Sequence, residues 1–349
     1  MKIEARTEIS KTMIYAAPVL AVVMTMIAGL GLFEIMGHNP FESLYTFFVA
    51  PVNTWDGVAE LGVKGTPLIL IAIGLSFGFR ANVWNIGAEG QLTIGALAGS
   101  ALALAFYDVE SVFLLPGMII VAALGGMAWA AIPAFLKTRY NANEILTSLM
   151  LTYIGLLVLS LLIHGPLKDP DGMNFPESRI FHDAAMLPIL IEETRLHAGF
   201  LIMLAAVVSA WVILGRHIIG FQIRVIGMAP RAASYAGFDQ KKMVWLVFLV
   251  AGALSGIAGI CEIAGPLGQV VPVISPGYGF TAIIVAFVGR LHPVGIFFAG
   301  MLMALSYLGG ENAQIELNMP NAVTGVFQGM LLFFLLACDV LIKYRLRFS

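Results

Sequence analysis

The sequence predicts an all-α, polytopic membrane protein, a bundle of about ten transmembrane helices with both termini inside. Hydrophobic residues make up 59% of the 349 residues and charged residues only 11%. Mean hydropathy is +0.91, which a soluble domain of this size would not tolerate on its surface. Apolar runs of membrane-spanning length recur along the chain, and basic residues cluster in alternate loops, which orients the bundle.

Apolar runs bounded by charged or turn residues define the predicted spans. They are residues 13–36, 63–79, 86–106, 113–135, 145–163, 198–214, 244–264, 279–289, 294–309 and 321–341. We expect one transmembrane domain, residues 1–349, with broken or short helices near residues 80–90 and 272–293. The first run follows three basic residues, as in a signal peptide, but it is too long for one and is interpreted as a retained span.

Basic residues give the orientation of the spans. The N-terminus (1–12), the loop 215–243 and the C-terminus (342–349) are placed in the cytoplasm. With Arg80, Lys137, Arg139 and Arg290, which fall on the same side, about fifteen of the nineteen basic residues then lie inside. The four left outside are Lys64, Lys168, Arg179 and Arg195. The longest outer loop, residues 165–197, is either a passive connector or a docking surface for an extracytoplasmic partner.

The chain lacks the residues that several classes of protein need for their function. There is no G-x-x-x-x-G-K-[ST] run, so the chain does not hydrolyse ATP through a P-loop. Cys261 and Cys338 lie in apolar runs and suggest neither a disulfide framework nor a metal site. No nucleophile and base, and no metal-binding pair, is visible at membrane depth. We therefore predict no catalytic residue, no metal site and no cofactor in this chain.

One stretch of the predicted spans contains several polar residues: FRANVWNIGAEGQLTIGALAG, residues 79–99. An ionisable group at membrane depth is costly, so Glu89 is either a satisfied interior carboxylate or part of a permeation path. In one continuous helix, Glu89 and Gln91 would point almost oppositely. They could line one site with Asn85 only if the helix is interrupted, which the glycines at 87 and 90 favour.

Two further stretches supply candidate pathway residues. Asn143 is expected to cap the fifth span, and Thr152 continues inward, where it could face a pathway. Pro276 and Gly277 break the chain before a short span, near Tyr278 and Phe280. These two aromatics are either interfacial anchors or stacking surfaces for a flat ring.

The loop 215–243 contains a short predicted helix with its own start and stop. Pro230 suits the first turn, and Gly237 suits the C-terminal cap. Small residues on one side would fit a groove on a soluble partner, although the basic residues of the loop could merely follow topology. The candidate docking residues are Pro230, Arg231, Ala232, Ala233, Ser234, Tyr235, Ala236, Gly237 and Phe238.

The span edges at Arg80 and Arg290 have a similar pattern. Each has an apolar run, one arginine, a few residues and then a Gly-rich apolar run. This is either a weak internal repeat of the kind found in transporters or a chance likeness.

Four motifs in order resemble the permeases of bacterial ABC importers for ribose-type sugars and nucleosides. They are NIGAEGQLTIGA, NEILTSLMLTYI, VIGMAPRAASYAGF with LSGIAGICEIAG, and GYGFTAIIVAFVGRLHPVGI. The resemblance extends from about Thr66 to Leu341. It is strongest to the larger of two permeases in nucleoside importers that use a basic-membrane-protein-type lipoprotein. The family often has asparagine where this chain has Thr152.

The resemblance implies a multi-pass permease subunit of the bacterial inner membrane that takes up a small polar solute and binds no nucleic acid. Its implied partners are a second homologous permease, ATP-binding subunits that hold ATP and Mg²⁺, and a substrate-binding lipoprotein or periplasmic protein. It makes residues 229–238 the coupling helix and places Asn85 and Glu89 in the translocation region. Alternative substrates are a ribose-type sugar or riboflavin. An alternative mechanism is proton-coupled secondary transport with Glu89 as the titrating group.

Overall fold

A computed structural model describes residues 2–5, 11–172, 174–320 and 322–347. Its helices up to the long outer loop are α1 (Lys11–Ile35), α2 (Pro40–Phe48), α3 (Trp55–Arg80), α4 (Ala88–Ala105), α5 (Leu114–Tyr140) and α6 (Glu144–Ile163). Those after it are α7 (Gly199–Arg216), α8 (Ile218–Met228), α9 (Pro230–Tyr235), α10 (Gln240–Glu262), α11 (Tyr278–Val288), α12 (Pro293–Leu317) and α13 (Ala322–Lys343). Each of the ten predicted spans corresponds to one of these helices.

Seven helices in the described part are long and apolar enough to cross a membrane. They are Ala16–Ile35, Trp55–Arg80, Leu114–Tyr140, Glu144–Ile163, Gly199–Arg216, Gln240–Leu267 and Pro293–Leu317. Helix α4 is not one of them, because Glu89, Gln91 and its glycines lower the hydropathy of its first turns. The polytopic helix bundle is thus supported, whereas the number of crossings and the orientation stay predictions.

The short or broken helices lie where the sequence placed them. Residues 81–87 are not helical, and Asn82 has a left-handed φ of 57°. Helix α11 has only 11 residues and follows an irregular stretch. Helix α10 continues into one turn of π-helix, Ile263–Leu267, which contains Pro266 and is called the π-turn below. The sequence did not predict helices α2 and α8.

One departure from an all-α chain lies at the ends. Strands β1 (Lys2–Ala5) and β2 (Tyr344–Arg347) pair antiparallel, with Lys2 opposite Arg347. Two four-residue strands carry no hydropathy signal that distinguishes them from polar tails.

Contacts divide the chain into two compact units. The first consists of residues up to Leu61 and from Leu302 onward. In it, Phe47 and Phe327 stack with ring centroids 4.5 Å apart, and Phe33 lies 5.3 Å from Phe327. All three rings are fully buried or nearly so, so aromatic packing forms this core.

The second unit, Gly62–Met301, is organised around α4, α5 and α10. Gly95 and Gly256 let these backbones touch, since a Cβ on Gly95 would lie 2.3 Å from the Cα of Gly256. A Cβ on Gly126 would lie 2.1 Å from the carbonyl oxygen of Gly252. Such close approaches are typical of membrane helix pairs with small residues at the contact.

Candidate functional site

The break between α3 and α4 is stabilised by side-chain amides. The Oδ1 atom of Asn85 accepts from the backbone N–H of Gly87 at 2.9 Å. Asn85 and Gln91 also exchange two amide hydrogen bonds, both 3.1 Å long. The hydroxyl of Ser148, on α6, accepts from the N–H of Ile86 at 3.1 Å. These bonds satisfy backbone groups that the missing helical turn leaves unpaired.

Glu89 lies in the first turn of α4 and points to α11. Its Oε2 atom accepts from the backbone N–H of Gly279 at 2.6 Å, and the side chain of Ser275 also interacts with it. The Ser275 hydroxyl in turn accepts from the N–H groups of Gly277 and Tyr278, at 3.1 and 2.8 Å. A carboxylate at a helix N-terminus is favoured by the helix dipole and the free N–H groups.

Glu89 and Gln91 therefore do not share one polar site. Both lie in the first turn of α4, after the interruption, but Gln91 bonds Asn85 whereas Glu89 bonds α11. The interruption ends at Gly87 and does not extend to Gly90. Gly90 serves a different purpose, since a Cβ there would lie 2.7 Å from the Cα of Thr152.

Five of the six candidate pathway residues are buried, around the first turn of α4 and the helices α6 and α11 that pack on it. Asn85, Glu89 and Gln91 are at most 3% exposed, and Thr152 is fully buried on α6. Tyr278 is fully buried beside Gly279, whereas Phe280 is 38% exposed. Tyr278 and Phe280 have different surroundings, because residues two positions apart on α11 lie on different sides of the helix. Their individual roles stay predictions.

Two serines in this neighbourhood were not among the sequence candidates. Ser148 bonds the α3–α4 break, and Ser275 accepts from the N–H groups of Gly277 and Tyr278 at the start of α11. Ser275 had a readable signal, because a serine hydroxyl in a Pro-Gly turn commonly bonds backbone N–H groups two or three residues later. Ser148 had none, since its partner lies 62 residues away.

The loop 215–243 contains the predicted short helix. Helix α9 begins at Pro230, and Gly237 has a left-handed φ of 80° just past its end. The side-chain amide of Gln240 donates to the carbonyl of Pro230 at 2.8 Å and to the Ser234 hydroxyl at 2.9 Å. These bonds fix α9 to the start of α10.

The residues of α9 do not all face outward. Tyr235 is 94% exposed, whereas Ala233 is fully buried. Phe238 packs edge-on against Phe221 of α8, with ring centroids 6.1 Å apart. The methyl group of Ala233 faces the protein body, so of the candidate docking residues this one is not on the accessible side, and docking by α9 stays a prediction. The exposed side carries Arg231, Ala232, Ser234 and Tyr235.

The outer loop lies along the segment that follows α10. Backbone N–H groups of Ser178, Phe181 and Leu187 donate to the carbonyls of Val270, Gly268 and Ala264, at 3.0, 2.8 and 2.7 Å. The side-chain amide of Gln269 donates to Glu177 at 2.8 Å. The loop is therefore hydrogen-bonded to the π-turn and the chain leading to α11.

His197 anchors the end of this loop. It is 2% exposed, and its Nδ1 atom accepts from the N–H of Gly199 at 3.2 Å. A Cβ on Gly199 or Gly265 would lie within 2.7 Å of the imidazole ring. Burial lowers the pKa of His197 to about 4, so the ring is neutral at physiological pH.

The two arginine hairpins touch each other. Arg80 donates from Nε to the carbonyl of Leu291 at 2.9 Å. Phe287 stacks on Phe79 and on Trp84, with centroids 5.1 and 5.7 Å apart. The second hairpin also has left-handed backbone, at Arg290 and Leu291 with φ of 56° and 54°.

Comparisons with known proteins agree with this architecture. Residues 57–336 match the family described as branched-chain amino acid transport system / permease component. A glucose ABC transporter permease protein of Haloferax volcanii is 35% identical, over 99% of this chain and 93% of its own length.

Two guanosine ABC transporter permease proteins of Bacillus subtilis are also similar to the chain. One is 29% identical over 95% of this chain and 94% of its own length. The other is 28% identical over 71% of this chain and 80% of its own length. The resemblance to nucleoside-type and sugar-type permeases is thus confirmed, and the chain belongs to the branched-chain amino acid transport system / permease component family, as a membrane subunit of an ABC transporter rather than an enzyme.

Proposed function

We propose that the chain is the permease subunit of an ABC importer that moves nucleosides, or a related sugar-bearing solute, into the cell. ATP hydrolysis in a separate subunit, which binds ATP and Mg²⁺, drives the transport. The observation that carries this proposal is α9, a short helix with a defined start and stop whose Tyr235 side chain is 94% exposed. An exposed helix fixed to a long apolar helix can transmit a partner's motion as a rigid body.

The relatives support the substrate class. They are named as glucose and guanosine permeases, and the chemistry shared by these two solutes is a sugar ring with several hydroxyl groups. Asn85, Gln91 and Thr152 carry the amide and hydroxyl groups that such a ring would need, near Glu89 and Tyr278.

The contact between Glu89 and Gly279 joins the first turn of α4 to the start of α11. We propose that this joint opens and closes between inward and outward access, with the unwound residues 81–87 lining the path. Unwound backbone at membrane depth is tolerated where it borders a cavity or buried protein.

The proposed assembly contains a second, homologous permease, an ATP-binding subunit and an extracytoplasmic substrate-binding protein. Two different guanosine permeases in one organism support a heterodimer. The chain is placed as one domain in the bacterial cytoplasmic membrane, with about ten crossings and both termini inside.

Reconstitution with and without the ATP-binding subunit tests the function. Proteoliposomes holding the full assembly should accumulate labelled guanosine only with ATP, and excess ribose, glucose and riboflavin as competitors rank the substrate classes. The chain alone should accumulate nothing under a pH gradient. Accumulation by the chain alone would replace ATP coupling with proton coupling.

A further inference from the structure

A basic pocket lies at the end of α7. It has a volume of about 400 Å³ and is lined by Arg216, His217 and Arg224 together with apolar residues that include Ile218 and Phe221. Arg216 is the last residue of an 18-residue candidate span. A helix of that length just crosses the hydrocarbon core, so the pocket lies at the level of the lipid headgroups.

The pocket is lined by basic side chains whose charge is not balanced by an acidic partner within the described residues. Among the described residues, no acidic side chain forms an ion pair with Arg216 or Arg224. Arg80 lies close enough to Arg224 for their charges to repel. Arg216 is held over the ring of Trp211, 4.9 Å from its centroid. A bound anion would relieve this repulsion.

His217 and the start of α8 also lie at the pocket. The Nδ1 atom of His217 accepts from the N–H of Ile219 at 3.2 Å, which leaves Nε2 of the neutral ring as a donor. The 11-residue helix α8 begins at Ile218, and the positive end of its dipole favours an anion.

An apolar surface continues from the pocket along α7. Leu201, Val208, Trp211 and Val212 are between 40% and 60% exposed, and their spacing places them along one side of the helix. Ile218 and Phe221, at the rim of the pocket, are 58% and 53% exposed. The expected ligand therefore has an anionic head and a long apolar tail.

We propose that this pocket binds an anionic phospholipid. The phosphate lies between Arg216 and Arg224, and an acyl chain lies along Leu201, Val208 and Val212. A soluble partner fits less well, because the apolar surface is the side of a candidate span. The proposal stands independently of the transported solute and of the ATP-binding subunit.

Lipid binding by the purified, delipidated chain tests the proposal. Phosphatidylglycerol should bind more tightly than phosphatidylcholine, and the double variant Arg216→Gln/Arg224→Gln should weaken phosphatidylglycerol binding about 25-fold, since each basic residue contributes about fivefold. The matched control Arg139→Gln removes an exposed arginine at the end of α5 and should change binding less than twofold. Equal affinity for both lipids, or equal loss in the control, would overturn the proposal.

A second measurement uses the indole next to the pocket. Phosphatidylglycerol with brominated chains should quench Trp211 fluorescence, and Trp211→Phe should remove that component without altering the fold. If inorganic phosphate protects against quenching as well as the intact lipid does, the site is for free phosphate and the proposal is wrong. It is also wrong if the double variant keeps its lipid affinity but no longer copurifies with the ATP-binding subunit.

Discussion

At the scale of single residues, the bond from Gly279 to Glu89 is the contact with the largest functional consequence. It places a carboxylate on the N-terminal amides of α11 and connects two helices whose contacting residues are 190 positions apart. Both of its partners can be altered separately, one by removing charge and the other by adding volume.

Replacing Glu89 with glutamine keeps an acceptor for the Gly279 amide but removes the charge from the helix N-terminus. We expect slower uptake by the assembled transporter and a stability loss of about 0.5–2 kcal/mol, with the ATP-binding subunit still copurifying. Glu110→Gln, at an exposed carboxylate that pairs with His182 at 3.2 Å, is the control and should transport normally. Unchanged uptake by Glu89→Gln would leave Glu89 with a purely structural role.

Gly279→Ala tests the same contact by volume. A Cβ at this position would lie 2.3 Å from the backbone nitrogen of Glu89, so α4 and α11 must separate, at a cost of about 1–3 kcal/mol. Gly329→Ala is the matched control, since no atom lies within 4 Å of its Cβ. Thermal unfolding in detergent should show a lower midpoint for the first variant alone; equal midpoints would show that the contact is not tight.

His197 makes the attachment of the outer loop sensitive to acid. Its ring is neutral when buried, with a pKa of about 4 in place of 6.5, so the unfolded loop binds a proton at higher pH than the folded one. The contribution of His197 to the stability of the attached loop is therefore fully present above pH 6.5. It falls by about 3 kcal/mol as the pH drops to 4.

Hydrogen exchange in residues 186–197 should therefore accelerate between pH 6.5 and pH 4, after correction for intrinsic rates. His197→Gln should flatten this dependence, whereas His164→Gln, at an exposed histidine, should leave it intact. A pH dependence that survives in His197→Gln would assign it to another group.

At the scale of elements, α9 shows which features of a helix can be predicted from local sequence preferences. Pro230 and Gly237 marked its start and stop because those preferences depend on neighbouring residues alone. The side of the helix that faces the protein was not predictable, because six residues make less than two turns and carry no usable periodicity. The partners of Glu89 and of the outer loop were missed for a different reason: they come from distant parts of the chain.

Single cysteines along α9 test the docking surface. Tyr235→Cys should crosslink to the ATP-binding subunit, and Ala233→Cys should not, because Ala233 is fully buried. Failure at Tyr235 and at every other exposed position of α9 would remove docking from this helix. Crosslinking at Ala233 alone would mean that the helix rotates on assembly.

At the scale of the whole molecule, hydropathy was enough to place the ten predicted helices, because the length and apolar character of a run are read from neighbouring residues alone.

The predicted orientation in the membrane depends on the distribution of basic residues and can be tested by labelling. Val112→Cys, in a loop predicted to be outside, should react with a membrane-impermeant maleimide in intact cells; that side chain is 90% exposed. Met228→Cys, 80% exposed, should react only after permeabilisation. The native Cys261 and Cys338 are buried and give little background. The reverse pattern would invert the topology.

The hydrogen bonds between the outer loop and the stretch after α10 also impose an order on biogenesis. Ser178 bonds Val270, 92 residues later in the chain. At 5–20 residues per second, the ribosome needs roughly 5–20 s to add that stretch. During this interval the loop has been synthesised but its hydrogen-bond partners have not. Helices α7 to α10 must therefore be inserted before the loop can form these bonds. A nascent chain stalled before residue 264 should therefore expose residues 177–190 to protease, and a chain released after residue 271 should protect them.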